Sequence, residues 1–339
     1  MVSHSSSSLV QAYAALTPQG VLDALESVGL HGDGRLLQLN SYENRVQQVF
    51  LEDGRAVVTK FYRPGRWSDE QILEEHAFAL ELAAHDVPVA APMSLGSLGT
   101  LGHVELDGTL HRFSVTERRA GRAPELDDVQ TLQWLGRFIA RLHLAGREKP
   151  FVHRRKLDIA TFGLRSRQFL LEGGFVPDTQ RHAWQGACDA ALARVQQSFQ
   201  DAGAFRTLRL HGDCHPGNVL WREKEGPHFV DLDDACTGPA IQDLWMLLPG
   251  KGSEVTAPLA ALLEGYETFL SLDRRELTLI EPLRTLRMIH HSAWLAERWN
   301  DPAFPAAFPW FGTPAYWSEQ TTQLREQLEA MQEPPPWVP

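Results

Sequence analysis

The chain has 339 residues, 43% of them hydrophobic and 22% charged, with a formal charge of −11. That length is enough to bury one large core or two moderate ones. The acidic balance argues against non-specific binding to nucleic acid and against attachment to an anionic membrane, both of which need basic surface.

Three cysteines, Cys188, Cys214 and Cys236, cannot make a disulfide framework, which points to a reducing cytoplasm. The opening "MVSHSSSSLVQAYAAL" lacks the basic start and sustained apolar stretch of a signal peptide. No apolar run reaches the roughly 18 residues of a spanning helix.

In chain order, Thr17 to Leu30 reads as a short amphipathic helix started by Thr17 and Pro18. Arg35 to Pro64 reads as strand, turn, strand, turn, strand, with Asp53-Gly54 marking a hairpin. A helix capped by Ser68 follows, with Ile72, Ala79, Leu82 and Ala83 at near-helical spacing. Asp107-Gly108 marks a second hairpin whose second strand runs into Glu117. The next segment, 126–146, reads as a long helix with Leu132, Leu135, Phe138, Ile139 and Leu142 on its core face.

Further helices are expected near 180–200, 254–270, 274–299 and 314–331, and "EPPPWVP" as a surface-lying tail. A strand-rich first third thus passes, near Thr116–Gly121, into a mostly helical remainder. The expected fold is α+β, divided into residues 1–118 and 119–339.

The chemistry concentrates in "RLHGDCHPGNVLW", Arg209 to Trp221, followed by "FVDLDDA" from Phe229. His211, Cys214 and His215 are metal-ligand types, but no paired second segment completes a structural zinc site. Gly212, Pro216 and Gly217 are turn residues, and "NVLW" starts a strand, which explains the glycines but not the carboxylates. Asp213 is followed five residues later by Asn218, and Asp231 closes a hairpin running from "NVLW" to "FVDLDD".

That spacing resembles the catalytic loop of protein kinases. An aspartate there takes or orients the proton of an attacking hydroxyl. A carboxylate and an amide oxygen suit Mg²⁺, a hard cation. Asp213 is then the catalytic base, Asn218 and Asp231 the metal ligands, and Asp231 part of the catalytic set. His211 and His215 read as loop-shaping hydrogen-bonders, and Cys214 as a small buried filler. Upstream, Lys60 lies near the end of the predicted third strand, where a kinase keeps the lysine that grips the ATP phosphates, and Glu75 on the next helix is its partner.

With "LNSYENRV", "KFYRP", "VPVAAP", "HGDCHPGNVLW", "VDLDDA" and "QDLWMLL", the chain resembles the aminoglycoside phosphotransferase and choline kinase group of protein-kinase-like enzymes. Within that group it is similar to the RdoA-type bacterial serine/threonine protein kinases. The resemblance implies a bilobal kinase-like fold, a small β-rich lobe and a larger helical one, with ATP as phosphate donor and Mg²⁺ between them. It also implies phosphorylation of serine or threonine on a protein substrate and on itself. The chain is expected to be cytoplasmic and monomeric.

Carried over by position, Ser41 approaches ATP, and backbone groups near Glu117 and Arg119 meet the adenine. Glu75 rather than Glu74 pairs with Lys60, because it stands 13 residues before Pro88. Asp243 anchors the catalytic loop from below.

Several features depart from eukaryotic-type kinases. No GxGxxG covers the phosphates, Gly212 stands where those enzymes have Arg, "DLD" replaces DFG, and no activation loop is recognisable. Asp233 and Asp234 read either as contacts to a second Mg²⁺ or a cationic substrate, or as solvated acids. The aromatic run "RWNDPAFPAAFPWFGTPAYW" reads first as a core clasp, with the rim of an acceptor cleft, including Asp301, as the alternative. Two other functions fit the same residues: a kinase acting on a metabolite hydroxyl, and an ATP-binding pseudokinase scaffold.

Overall fold

Thr17 caps the first helix by accepting from the Gly20 amide at 3.1 Å, and Pro18 occupies its first turn, so α1 runs Pro18–Glu26. The computed structural model describes Tyr13 and residues 16–248, 250 and 252–336. Most of the opening stretch read for a signal peptide therefore lies outside the described residues, as does the very end of the Pro-rich tail.

Strands β1 (Gly32–Gln38), β2 (Arg45–Leu51) and β3 (Ala56–Phe61) form a meander, followed by α2 (Asp69–Ala84). Then β4 (Gly102–Leu106) and β5 (Thr109–Glu117) complete a five-stranded antiparallel sheet of order β1-β2-β3-β5-β4. The two predicted hairpins close through left-handed residues, Gly54 in one, Asp107 and Gly108 in the other. Alternation along β3 buries Val57, Thr59 and Phe61, while Lys60 lies on the opposite face. The buried face packs with Val21, Ala24 and Leu25 of α1.

A full capping box between Ser68 and Gln71 starts α2. Its core face differs from the one predicted: Ala83 is exposed, because Glu75, His76 and Phe78 turn inward with Ile72, Ala79 and Leu82.

The second lobe begins with α3 (Val129–Gly146), capped by Asp128, and carries every residue predicted for its core face except Phe138, which is half-buried. A single π turn over Ile159–Leu164 leads into α4 (Arg165–Glu172) and α5 (Asp178–Ala202). Short strands follow: β6 (Thr207–Leu210), β7 (Val219–Arg222), β8 (Gly226–Phe229) and β9 (Cys236–Pro239), paired as β6-β9 and β7-β8.

The strand expected over "FVDLDD" is corrected: β8 ends at Phe229, and Asp231 lies beyond it. Next come α6 (Ile241–Trp245), α7 (Thr256–Tyr266), α8 (Ile280–Glu297), α9 (Ala303–Ala307) and α10 (Pro314–Ala330). The helix expected from 274 begins as a 3₁₀ run over Arg274–Leu279.

Helices α3 and α7 meet at backbone distance. A Cβ on Gly136 would lie 2.0 Å from the Leu262 carbonyl oxygen, and one on Gly265 1.9 Å from that of Gln133.

The two lobes share backbone bonds: Phe229 N donates to Pro88 O at 2.8 Å and Ala90 N to Phe229 O at 2.9 Å. The Glu74 carboxylate on α2 accepts the amides of Val152, His153 and Arg154 at 2.5 to 2.8 Å. Among the described residues no helix is long and apolar enough to cross a membrane.

Candidate active site

The floor of the site is built on one buried carboxylate. Asp243, on α6, accepts the backbone amides of His211 and Gly212 at 2.8 and 2.9 Å. His143 of α3 holds the same carboxylate at 3.1 Å and bonds Tyr266 at 2.9 Å through its other nitrogen. Burial opposes the charge on Asp243, but the His143 hydrogen bond and the loop amide hold its carboxyl below the usual range.

Gly212 is required at its position. Its φ is +85°, and a Cβ there would lie 2.2 Å from the Asp234 carbonyl oxygen, so the arginine of eukaryotic-type loops has no room. His211 Nε2 bonds Val230 O at 2.9 Å, and His215 Nδ1 accepts from the Gly217 amide at 3.0 Å. Both histidines shape the loop, and Cys214 is buried beside them.

On this floor Asp213 and Asn218 face the same space. The Asn218 Nδ2 donates to Asp213 O at 2.9 Å, which leaves its amide oxygen for another partner. Asp231 follows β8 in a left-handed conformation, φ 59° and ψ 66°, which a short polar side chain tolerates better than a branched one. Its place in the cleft between the lobes pushes its carboxyl up to about 6 although the side chain is 49% exposed; Lys60 pulls the other way, and the charges of Asp233 and Asp234 add to the rise.

A carboxylate crowded by like charge and an amide oxygen are hard donors suited to a divalent cation. Among the described residues no group of three or more His, Cys, Asp or Glu side chains could hold a metal ion. A cation at Asn218 and Asp231 would need further oxygen ligands, from water or a bound phosphate.

From the sheet side, Lys60 Nζ lies 3.2 Å from Glu75 Oε1, 3.5 Å from Asp233 and 3.7 Å from Asp231. Burial works against its charge, but Glu75 and these neighbours more than offset it, keeping the ammonium protonated well above its usual range. Glu74 faces the second lobe's amides instead.

Asp233 is buried and Asp234 half-buried, and both are paired. Arg66 bonds both, at 2.5 and 2.7 Å, and Arg155 bonds Asp234 at 2.5 Å. Although burial raises it, Arg66 and then Lys60 bring the Asp233 carboxyl down to about 2, and Arg66 with Arg155 holds Asp234 lower still.

Over the floor lies a cavity of about 470 Å³. Its roof is the β1–β2 loop, Asn40 to Glu43, with Ser41 in the lining and its hydroxyl accepting the Asn44 amide at 3.3 Å. Glu43 fastens this roof to α8, accepting from Trp294 Nε1 at 2.7 Å and pairing with Arg298 at 2.5 Å. Within its own lobe Glu43 also meets Arg63 at 3.0 Å and Arg66 at 3.3 Å.

Each reading of the aromatic run describes part of it. Phe304, Phe311 and Trp317 are buried core, whereas Phe308 lines the cavity with Trp294 and meets Tyr42 at 4.8 Å between ring centres. Asp301 is taken by Arg63 at 2.8 Å.

Lys60, Glu75, Asp213, Asn218, Asp231 and Ser41 thus converge between the lobes. Glu117 and Arg119 do not line this cavity; they pair with each other at 2.9 Å, exposed at the end of β5. Sequence reasoning missed Glu43, Arg66, Arg155 and Arg287, the last of which reaches from α8 to Asp213 Oδ1. One signal was available for Arg287: with His291, Trp294 and Arg298 it recurs at three- and four-residue steps, a polar face on a helix otherwise buried.

A bilobal α+β architecture with these groups between its lobes is the protein-kinase-like fold. The chain belongs to the phosphotransferase enzyme family, whose model matches residues 35–280, and it is a kinase of that family. It is 45% identical over 323 residues to the stress response kinase A of Salmonella choleraesuis (strain SC-B67) and, equally, to the serine/threonine protein kinase RdoA of Salmonella typhimurium. These matches cover 95% of this chain and 96% of each relative. Among solved structures, an amicoumacin kinase in complex with AMP-PNP and Ca²⁺ superposes with a TM-score of 0.71 at 21% identity, covering 97% of both chains.

Proposed function

We propose that this chain is an ATP- and Mg²⁺-dependent serine/threonine protein kinase that phosphorylates a protein substrate and itself, acting in the cytoplasmic stress response. The observation that carries the reading is that Asp213, Asn218 and Asp231 line one cavity while the Lys60–Glu75 pair reaches Asp231 from the sheet side. The full-length similarity to a protein named as a serine/threonine protein kinase supports the acceptor class.

In this reading Lys60 holds the donor's phosphates, Ser41 and the roof amides cover them, and backbone near Glu117 and Arg119 meets the adenine. Asn218 and Asp231 would hold Mg²⁺, which when bound offsets phosphate charge. Asp213 accepts the proton of the acceptor hydroxyl as its oxygen bonds to the γ-phosphorus and the bond from that phosphorus to the β–γ bridging oxygen breaks, releasing ADP. Positioning supplies most of the acceleration.

A cavity of about 470 Å³ also favours a second reading, a metabolite hydroxyl as acceptor, because small-molecule sites have this size. The test is to incubate the purified chain with γ-labelled ATP and Mg²⁺, alone and with a cell lysate separated by size. Label on the chain itself and in the high-mass fraction is expected, and label confined to small molecules would overturn the protein-kinase reading. Asp213→Ala should cut transfer by about 10³-fold while leaving nucleotide affinity unchanged. Normal turnover by that variant would remove Asp213 as the base.

A further inference from the structure

The charges lining the cavity are almost all matched. Glu43 is taken by Arg63, Arg66, Arg298 and Trp294, Asp233 by Lys60 and Arg66, and Asp234 by Arg66 and Arg155. Two carboxylates remain, Asp231 on the nucleotide side and Asp213 on the acceptor side. These pair with Lys60 and Arg287, so no carboxylate of the lining stands without a cation to receive an amine from an acceptor.

The cations are matched in the same way, with one exception. Arg66 is held by Asp233 and Asp234, and Arg155 by Asp234. The Arg287 side chain is 43% exposed and pairs with Asp213, the group that an acceptor hydroxyl must reach. With Asp213 Oδ2 facing Asn218 Nδ2 at 3.4 Å and His215 Nε2 at 3.5 Å, an acceptor hydroxyl that bonds Asp213 competes with Arg287 for Oδ1, and the bond Arg287 gives up leaves a cation in the acceptor half of the cavity. Around it the wall carries no acid: Phe308, Trp294 and His291, the last stacked on Trp294 at 5.7 Å. A guanidinium released into such surroundings is a fork for a carboxylate or phosphate.

We propose that Arg287 is the specificity-determining residue for the acceptor, exchanging Asp213 for an anionic group close to the hydroxyl being phosphorylated. The site thus selects hydroxyl acceptors that carry a neighbouring negative charge and rejects those that carry a neighbouring amine. This rests on the kinase reading above, in which Asp213 faces the acceptor. On that reading the natural form of the acceptor is a serine or threonine flanked by acidic residues. A small hydroxy acid offers the same chemistry from another source.

The experiment compares four acceptors with the whole chain, γ-labelled ATP and Mg²⁺: a serine peptide with aspartates beside the serine, its counterpart with lysines, glycerate, and ethanolamine. The aspartate peptide is expected to exceed the lysine peptide in kcat/KM by about tenfold or more. Arg287→Glu should reverse that order chiefly through KM, and Arg287→Gln should abolish the preference. Because the wild-type comparison needs no variant, a misfolded substitution does not blunt the test.

Preference for the lysine peptide or ethanolamine, or a preference unchanged by Arg287→Glu, overturns the assignment while leaving the kinase standing. Transfer to glycerate and to neither peptide supports anion selection and overturns the protein acceptor instead. If no acceptor is labelled, serine-to-alanine versions of the two peptides are titrated against the chain loaded with a non-hydrolysable ATP analogue. Tighter binding of the aspartate form supports the assignment, and equal binding overturns it.

Discussion

The floor and the roof of the cavity are held by different physics. The floor is fixed by neutral backbone donors converging on one buried carboxylate, Asp243, with His143 and Tyr266 behind it. The roof, Asn40 to Glu43, crosses to the second lobe through side chains alone, with Glu43 as the hub. Backbone bonds to a buried group set a geometry that cannot relax without unfolding, whereas an exchange of guanidinium partners costs little. A phosphoryl-transfer site needs both: an immobile base and metal platform, and a cover that opens for nucleotide.

The sharpest way to break this contrast is Asp243→Ala. It strands two amides and His143 in the interior, and a loss of about 3–5 kcal/mol is expected in denaturant titration. A loss under about 1 kcal/mol would mean that the loop holds itself.

Glu43→Gln should be milder. A stability loss of about 1–2 kcal/mol is expected, with a raised KM for ATP and faster amide exchange confined to residues 38–46. Exchange that also quickens at 209–214 would show that floor and roof are one unit.

An effect confined to neutral and alkaline pH lies beneath the floor. Burial pushes the Glu276 carboxyl up to about 7, against the pull of the Ile241 amide that it accepts. A carboxyl raised on folding contributes stability that is complete below its ordinary value near 4.5 and is lost as pH climbs through 7. Glu276→Gln keeps an acceptor without the charge, so it should gain about 2 kcal/mol over the parent at pH 8 and nothing at pH 4. Melting curves at the two pH values check this, and a pH-independent difference would count against it.

Much of the architecture was legible because periodicity writes it locally. The two hairpins announced themselves as Asp-Gly pairs, and Ser68 and Thr17 announced their helices. The order of Lys60, Glu75, Asp213, Asn218 and Asp231 could be read because each sits on an element whose turn or strand signal is local.

What stayed hidden was set by distance in sequence. Arg66 and Asp233 are 167 residues apart, and Glu43 and Arg298 255, and no local pattern encodes such partners. The π turn at Ile159–Leu164 and the short strands β6 and β9 carry too few residues for a period to show. Asp231 was placed on a strand because Phe229 and Val230 read as one, whereas its left-handed backbone ends the pairing.

Glu74 has a consequence for control. Its carboxylate grips three successive amides of the other lobe, Gln71 donates to His153 O at 3.0 Å, and Arg154 packs its guanidinium over Trp67 at 4.2 Å. The first two turns of α2 are thereby riveted in place. An off-state made by swinging that helix outward, dragging Glu75 from Lys60, would tear out the whole joint. The Lys60–Glu75 contact is thus anchored to the other lobe through the neighbouring Glu74.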